Sequence, residues 1–172
     1  ASGAVAVHPA FGEAGPGDAL VLLGAHRAPV RSLDWEAEGL LLQAACEDLI
    51  VSWWDVQAGG ERVLDAESMS QVAWRTWTCR AGAPVSAVAP PWSDGSDVQA
   101  VARSHGGRLL AVGDDYAKVS LFAFPADGPG QAGSRSLVGH AARVTNVAWA
   151  ADDRLVLSTG GADATVMQWR VI

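Results

Sequence analysis

Two well-separated stretches of this chain follow one pattern, and an internal repeat constrains a fold more tightly than composition does. The first runs Leu23-Gly24-Ala25-His26, then Val30-Arg31-Ser32-Leu33-Asp34-Trp35, then Glu47-Asp48-Leu49-Ile50-Val51-Ser52-Trp53-Trp54-Asp55. The second runs Val138-Gly139-His140, then Val144-Thr145-Asn146-Val147-Ala148-Trp149, then Ala162-Asp163-Ala164-Thr165-Val166-Met167-Gln168-Trp169-Arg170. His to the first Trp is nine positions in both copies, Asp to the last Trp is six, and only the middle differs, by one residue. Val30, Leu33 and Trp35, like Val144, Val147 and Trp149, fall in short strands with one packed face. Glu36 to Gly39 and Asp152-Asp153 supply polar turns. Gly160 to Asp163 gives a tight turn into a strand over Thr165 to Trp169, rich in the β-branched and aromatic types that strands favour.

A weaker copy lies between them. Asp97 to Ala102 reads as its first strand, Arg108 to Val112 as its second, Gly113-Asp114-Asp115 as the turn and Lys118 to Phe124 as its third. Asp115 takes the turn position, with Leu121 six residues later where the other copies have Trp, and no Gly-His precedes it. A Pro- and Gly-rich insert, Gly82 to Gly95, comes before it. The expected division is therefore 1–20 as the end of a preceding unit and loop, 21–57 as a clean repeat, 58–130 as a degenerate one with its insert, and 131–172 as the last.

A Gly-His, three strands, an Asp turn and a closing Trp-Asp resemble the WD repeat, which builds one four-stranded propeller blade. The resemblance implies an all-β fold of WD-repeat β-propeller blades, about three in number. Propellers close with roughly four to eight, so the chain reads as the C-terminal part of a larger, tandem propeller. The repeat also implies a buried hydrogen-bonded chain of Trp, Ser or Thr, His and Asp. The matching positions are Trp169, Thr159, His140 and Asp163 in the last copy, and Trp54, His26 and Asp48 in the first, where Ala44 stands at the hydroxyl position. That first chain is broken, and a missing member leaves a buried partner uncompensated.

Three further stretches narrow the resemblance. Val72-Ala73-Trp74-Arg75-Thr76-Trp77-Thr78-Cys79, Pro91-Trp92-Ser93-Asp94-Gly95-Ser96-Asp97-Val98-Gln99-Ala100-Val101 and His140 to Ile172, with Gly113 to Val119, are similar to segments of the echinoderm microtubule-associated protein-like family. The resemblance runs from about Ala25 to the end. It implies a non-enzymatic scaffold that binds tubulin and microtubules, alongside other cytoskeletal or axonemal proteins, in the cytoplasm and cytoskeleton and, for some members, in cilia. It implies no cofactor. A generic WD adaptor and a propeller enzyme are the competing readings. The linked non-repeat segments speak against the first, and the lack of a convergent titratable set against the second.

Composition sets limits on partners. With 19 acids against 12 bases the net charge is −7, which argues against nucleic acid, since polyanion binding relies on clustered Lys and Arg. No apolar run is long enough to cross a bilayer, so no membrane partner is expected. Cys46 and Cys79 cannot by themselves build a disulfide framework or a four-ligand zinc site. His26 and His140 read as network members and not metal ligands or bases. His8 and His105 read as solvated loop residues, and the Asp pairs as turn chemistry. Tubulin is acidic too, so contact must come from a local patch. The segment from Arg75 to Arg103 offers Arg75, Trp77, Arg80, Trp92 and Arg103, since Trp and Arg are the usual makings of interface hot spots.

Overall fold

The computed structural model describes residues 4–8, 21–24, 26–89, 95, 97–128 and 135–171. Its contacts divide into two units, Ala1–Arg75 and Thr76–Ile172.

The first unit holds a two-stranded pair, β1 (Val5–Val7) with β2 (Val21–Leu23), and a four-stranded antiparallel sheet, β3 (Val30–Trp35), β4 (Leu41–Cys46), β5 (Val51–Asp55) and β6 (Glu61–Val63), ordered as in sequence. Leu42 and Trp54 are directly paired across β4 and β5, and with Val5 and Leu23 they form the buried core. The chain then makes a short helix, α1 (Ala66–Ser70), whose cap Asp65 accepts the N–H groups of Glu67 and Ser68. It comes back along the first sheet, where Trp74 is buried, bridges to Glu36, and lets the Arg75 N–H reach Trp35 O at 2.8 Å.

The second unit holds a four-stranded sheet of β7 (Val98–Arg103), β8 (Leu109–Asp114), β9 (Lys118–Ala123) and β10 (Arg135–Val138), and a three-stranded one of β11 (Val144–Trp149), β12 (Leu155–Gly160) and β13 (Val166–Arg170). Apolar side chains of both fill the space between them: Ala100, Ala102, Ala111, Val119 and Leu121 from one, Val144, Val147, Trp149 and Val156 from the other. Gly113 permits the close approach, since a Cβ there would lie 2.5 Å from Val144 Cγ1. The Trp149 indole N–H crosses to Ala102 O at 2.8 Å. The carboxylate of Asp153 accepts the N–H groups of His105 and Gly106 at 2.8 and 2.6 Å, pinning one turn to the other.

The three sheets share one plan. Each first strand has a register shift in the same place, after Val30, Val98 and Val144. In each, the turn after the second strand donates back to the residue before the first: Glu47 to Pro29, Asp115 to Asp97 and Gly161 to Arg143, all at 2.9 Å. The sheets are offset from the sequence repeats. Glu61–Val63 completes the sheet of the first repeat, and Arg135–Val138 completes the middle sheet although it lies beside the last repeat in sequence. The degenerate copy is a full sheet, with one change to its expected pattern. Phe122, not Leu121, occupies the Trp position, because Phe122 pairs with Leu110 as Trp54 does with Leu42 and Trp169 with Val156. The loop Pro9 to Asp18 and residues 90–94 of the Pro-rich insert lie outside the described residues.

Candidate functional site

In the last sheet four side chains from four different segments meet. The Trp169 indole N–H donates to Ser158 Oγ at 2.8 Å, and that oxygen lies 2.7 Å from His140 Nε2. On the other side of the ring, His140 Nδ1 lies 3.0 Å from Asp163 Oδ2 and 2.9 Å from Thr165 Oγ1. Asp163 also accepts the N–H groups of Ala141 and Thr165 at 3.0 and 3.3 Å. Burial works against its charged form and is outweighed by these bonds, from Ala141, His140 and Thr165, which bring the carboxyl from 3.8 to about 2. The network ties the loop entering β11, the middle of β12, the turn and the end of β13 into one clasp. A fully satisfied buried network of this kind stiffens what it joins.

The hydroxyl in this clasp is Ser158, a correction to the sequence-based choice of Thr159. Counting back from the turn Asp gives Ala44 in the first sheet and Thr159 in the last. The last turn is one residue longer, with 160–165 between the paired Thr159 and Val166 against 46–50 between Ala45 and Val51. One residue of slip moves a side chain to the other face of a strand. Thr159 accordingly faces away, and its hydroxyl lies 2.9 Å from that of Thr145.

The first sheet places Ala44 at the Ser158 position, as expected. His26 and Trp54 still meet, rings edge to face with centroids 5.7 Å apart, close to the 6.3 Å of His140 and Trp169. With no hydroxyl between them, His26 Nε2 and Trp54 Nε1 are buried without a hydrogen-bond partner among the described residues. Asp48 does not join them. It is exposed, and its carboxylate only caps its own turn through the Ile50 N–H at 3.3 Å. His26 Nδ1 instead lies 3.3 Å from Cys46 Sγ. On the outer side Arg62 sits over the Trp54 ring, 6.0 Å from its centroid, and donates to Ser52 Oγ at 3.3 Å. Beside this clasp a second polar pair is hidden, Gln43 Nε2 donating to Asp34 Oδ2 at 3.0 Å. Pairing puts Asp34 on one face of the sheet with Ser32, while the register shift after Val30 sends Val30 to the other face with Leu33 and Trp35.

Of the candidate contact residues in the second unit, those described face inward. Trp77 is buried, its indole N–H donating to Cys79 O at 2.9 Å and its ring tilted against Phe124 at 6.1 Å. Arg80 is half-buried and donates to Val98 O at 2.7 Å, at the start of β7. Arg103 is half-buried with its guanidinium 5.4 Å over Phe124, and its N–H donates to Trp77 O. These three brace the middle sheet from inside. Arg75 is exposed in the first unit, where its guanidinium donates to Ala37 O at 3.3 Å. Trp92 lies outside the described residues. His8 and His105 are exposed, and both cysteines are buried free thiols. Among the described residues no three metal-ligating side chains come together.

Repeated antiparallel sheets with a shared register and a Trp–Ser–His–Asp clasp define WD-repeat β-propeller blades. A chain in the crystal structure of a mitotic checkpoint complex has this fold, with a TM-score of 0.58 at 18% identity over 87% of this chain and 50% of that one. The family model described as the echinoderm microtubule-associated protein second beta-propeller matches residues 18–171. The chain belongs to that family. It is 40% identical to echinoderm microtubule-associated protein-like 2 of Rattus norvegicus, over 85% of this chain and 22% of the relative. It is 37% identical to the 77 kDa echinoderm microtubule-associated protein of Lytechinus variegatus, over 86% of this chain and 22% of the relative. The chain thus spans about a fifth of the length of these relatives.

Proposed function

We propose that this chain is a non-enzymatic scaffold segment of a microtubule-associated protein, acting in the cytoplasm and cytoskeleton by contact with tubulin in the polymer. The observation that carries this reading is the family match across residues 18–171, among relatives named for microtubule association. The rigid clasped blades suit a scaffold, because binding residues commonly sit on loops held by such a frame. Axonemal microtubules are a further location in this reading. It involves no cofactor, nucleic acid or membrane.

At −7 net charge, long-range attraction to an acidic polymer is not available, so the contact is local. With Trp77, Arg80 and Arg103 serving as braces, the contact residues of this proposal are Arg75 and, on sequence grounds, Trp92. Co-sedimentation of the intact protein with microtubules tests it. The double variant Arg75→Ala, Trp92→Ala should melt as the parent does and pellet less with polymer. A variant that pellets as well as the parent puts the contact outside this segment. An intact protein that never pellets refutes the reading.

A further inference from the structure

We infer that in the first blade the Cys46 thiol takes the place of the turn carboxylate, donating its proton to His26 Nδ1 and leaving the ring proton on Nε2, the reverse of His140. Asp163 can only accept at neutral pH, so the His140 proton facing it sits on Nδ1. With the single ring proton on Nδ1, His140 Nε2 carries a lone pair, and Ser158 Oγ, which receives the Trp169 N–H, has its own O–H to donate to it. The proton chain runs Trp169 to Ser158 to His140 to Asp163.

In the first blade the partner on Nδ1 is a sulfur at 3.3 Å, within range for a thiol hydrogen bond, and the carboxylate of Asp48 faces solvent. Both Cys46 and His26 are 3% exposed. Burial, then Asp48, push the Cys46 thiol up, against a smaller opposite pull from the Ala28 N–H, so the sulfur keeps its proton. Burial, then the Arg62 guanidinium, hold His26 below its usual imidazole range, against a smaller pull from Asp48, so the ring is neutral. A neutral ring has one lone pair, and a bare imidazole nitrogen is a far better acceptor than a thiol sulfur. The S–H therefore points at Nδ1 while sulfur accepts from Ala28. The ring proton then stands on Nε2, beside the Trp54 N–H, and Ala44 offers no acceptor to either. Cys46 is thus the positioning residue of this clasp, fastening the loop before β3 to the end of β4 as Asp163 fastens the corresponding loop before β11.

Long-range 1H–15N correlation spectra of the 15N-labelled full chain at pH 7 read the tautomers directly. The four histidines are separated by His8→Gln and His105→Gln, which change only exposed side chains. The expected pattern is a bare Nδ1 and protonated Nε2 for His26, and the opposite for His140. Cys46→Ala should shift the His26 Nδ1 resonance and leave His140 alone. Should Cys46→Ala fail to fold, Cys46→Ser, which keeps a donor, should preserve the His26 pattern. Asp48→Ala should leave the tautomer of both histidines unchanged. A His26 proton on Nδ1 overturns the inference, as does a His26 signal that moves with Asp48→Ala and not with Cys46→Ala.

Discussion

The first and last blades begin from nearly the same residues and end with different interiors. Both bring a loop histidine against the tryptophan of the third strand, with ring planes inclined at 62° and 59°. In the last blade a serine sits between the rings and a carboxylate behind them, and every polar ring atom is satisfied. In the first, alanine replaces serine, a thiol replaces the carboxylate, and two buried ring nitrogens have no hydrogen-bond partner among the described residues. An unsatisfied buried polar group costs roughly 1–3 kcal/mol, so the first blade carries a defect that the last one lacks. Its compensation is outside the clasp, in the stacking of Arg62 over Trp54 and the apolar packing of Leu23 and Leu42. The lesson is that the aromatic ring pair keeps its geometry without the serine between the rings, and that the polar anchor behind it is replaceable.

The largest expected effect is at Asp163. Asp163→Ala removes an acceptor serving His140, Ala141 and Thr165 together. In a urea titration of the intact protein it should lower the midpoint more than any other clasp substitution. Asp48→Ala, an exposed turn change, should stay within about 0.5 kcal/mol of the parent. Equal losses would erase the difference between the blades.

The same carboxylate gives that contrast a pH dependence. Its folded value, about 2, lies below the ordinary 3.8, so its stabilisation is fully present above the ordinary value and fades as pH falls through about 2. Asp163→Asn should therefore flatten the dependence of the denaturation midpoint between pH 5 and pH 2. An unaltered pH profile for Asp163→Asn would mean that this carboxylate is not what the acid limb reports.

Exchanging the hydroxyls sharpens the comparison from both ends. Ser158→Ala rebuilds the first-blade arrangement in the last and should cost about 1–3 kcal/mol, since Trp169 and His140 lose their shared partner. Ala44→Ser is the reverse experiment. It supplies an acceptor to Trp54 and His26 and should stabilise by about 0.5–1.5 kcal/mol, provided the rings, 0.6 Å closer at their centroids than in the last blade, move apart to admit it. A destabilised Ala44→Ser would show that the first blade has repacked around alanine. Smallest of all, Thr159→Val should cost about 0.5 kcal/mol or less, as among the described residues its hydroxyl meets Thr145 alone and a backbone carbonyl accepts that partner as well. A loss from Thr159→Val as large as that from Ser158→Ala would return Thr159 to the clasp.

Sequence by itself determined the repeat, the strands, the family and the gap at Ala44. Strand period and turn residues are local, and they read the same way in isolation as in the sheet. Which hydroxyl, which anchor and which aromatic serve each blade depends on how the strands pair and pack. Ser158 displaces Thr159 because the last turn is one residue longer, and Phe122 displaces Leu121 because pairing follows the strand register and not the distance from an aspartate. Cys46 displaces Asp48 because the last residue of β4 points at His26 while the turn beyond it points at water. Trp77, Arg80 and Arg103 look like a binding surface when written in a row, yet in space they reach inward to Cys79, Val98 and Phe124. Spacing along a chain fixes which residues can be neighbours on one strand. Turn length and packing fix which face each of them shows, and a shift of one residue is enough to exchange a buried partner for an exposed one.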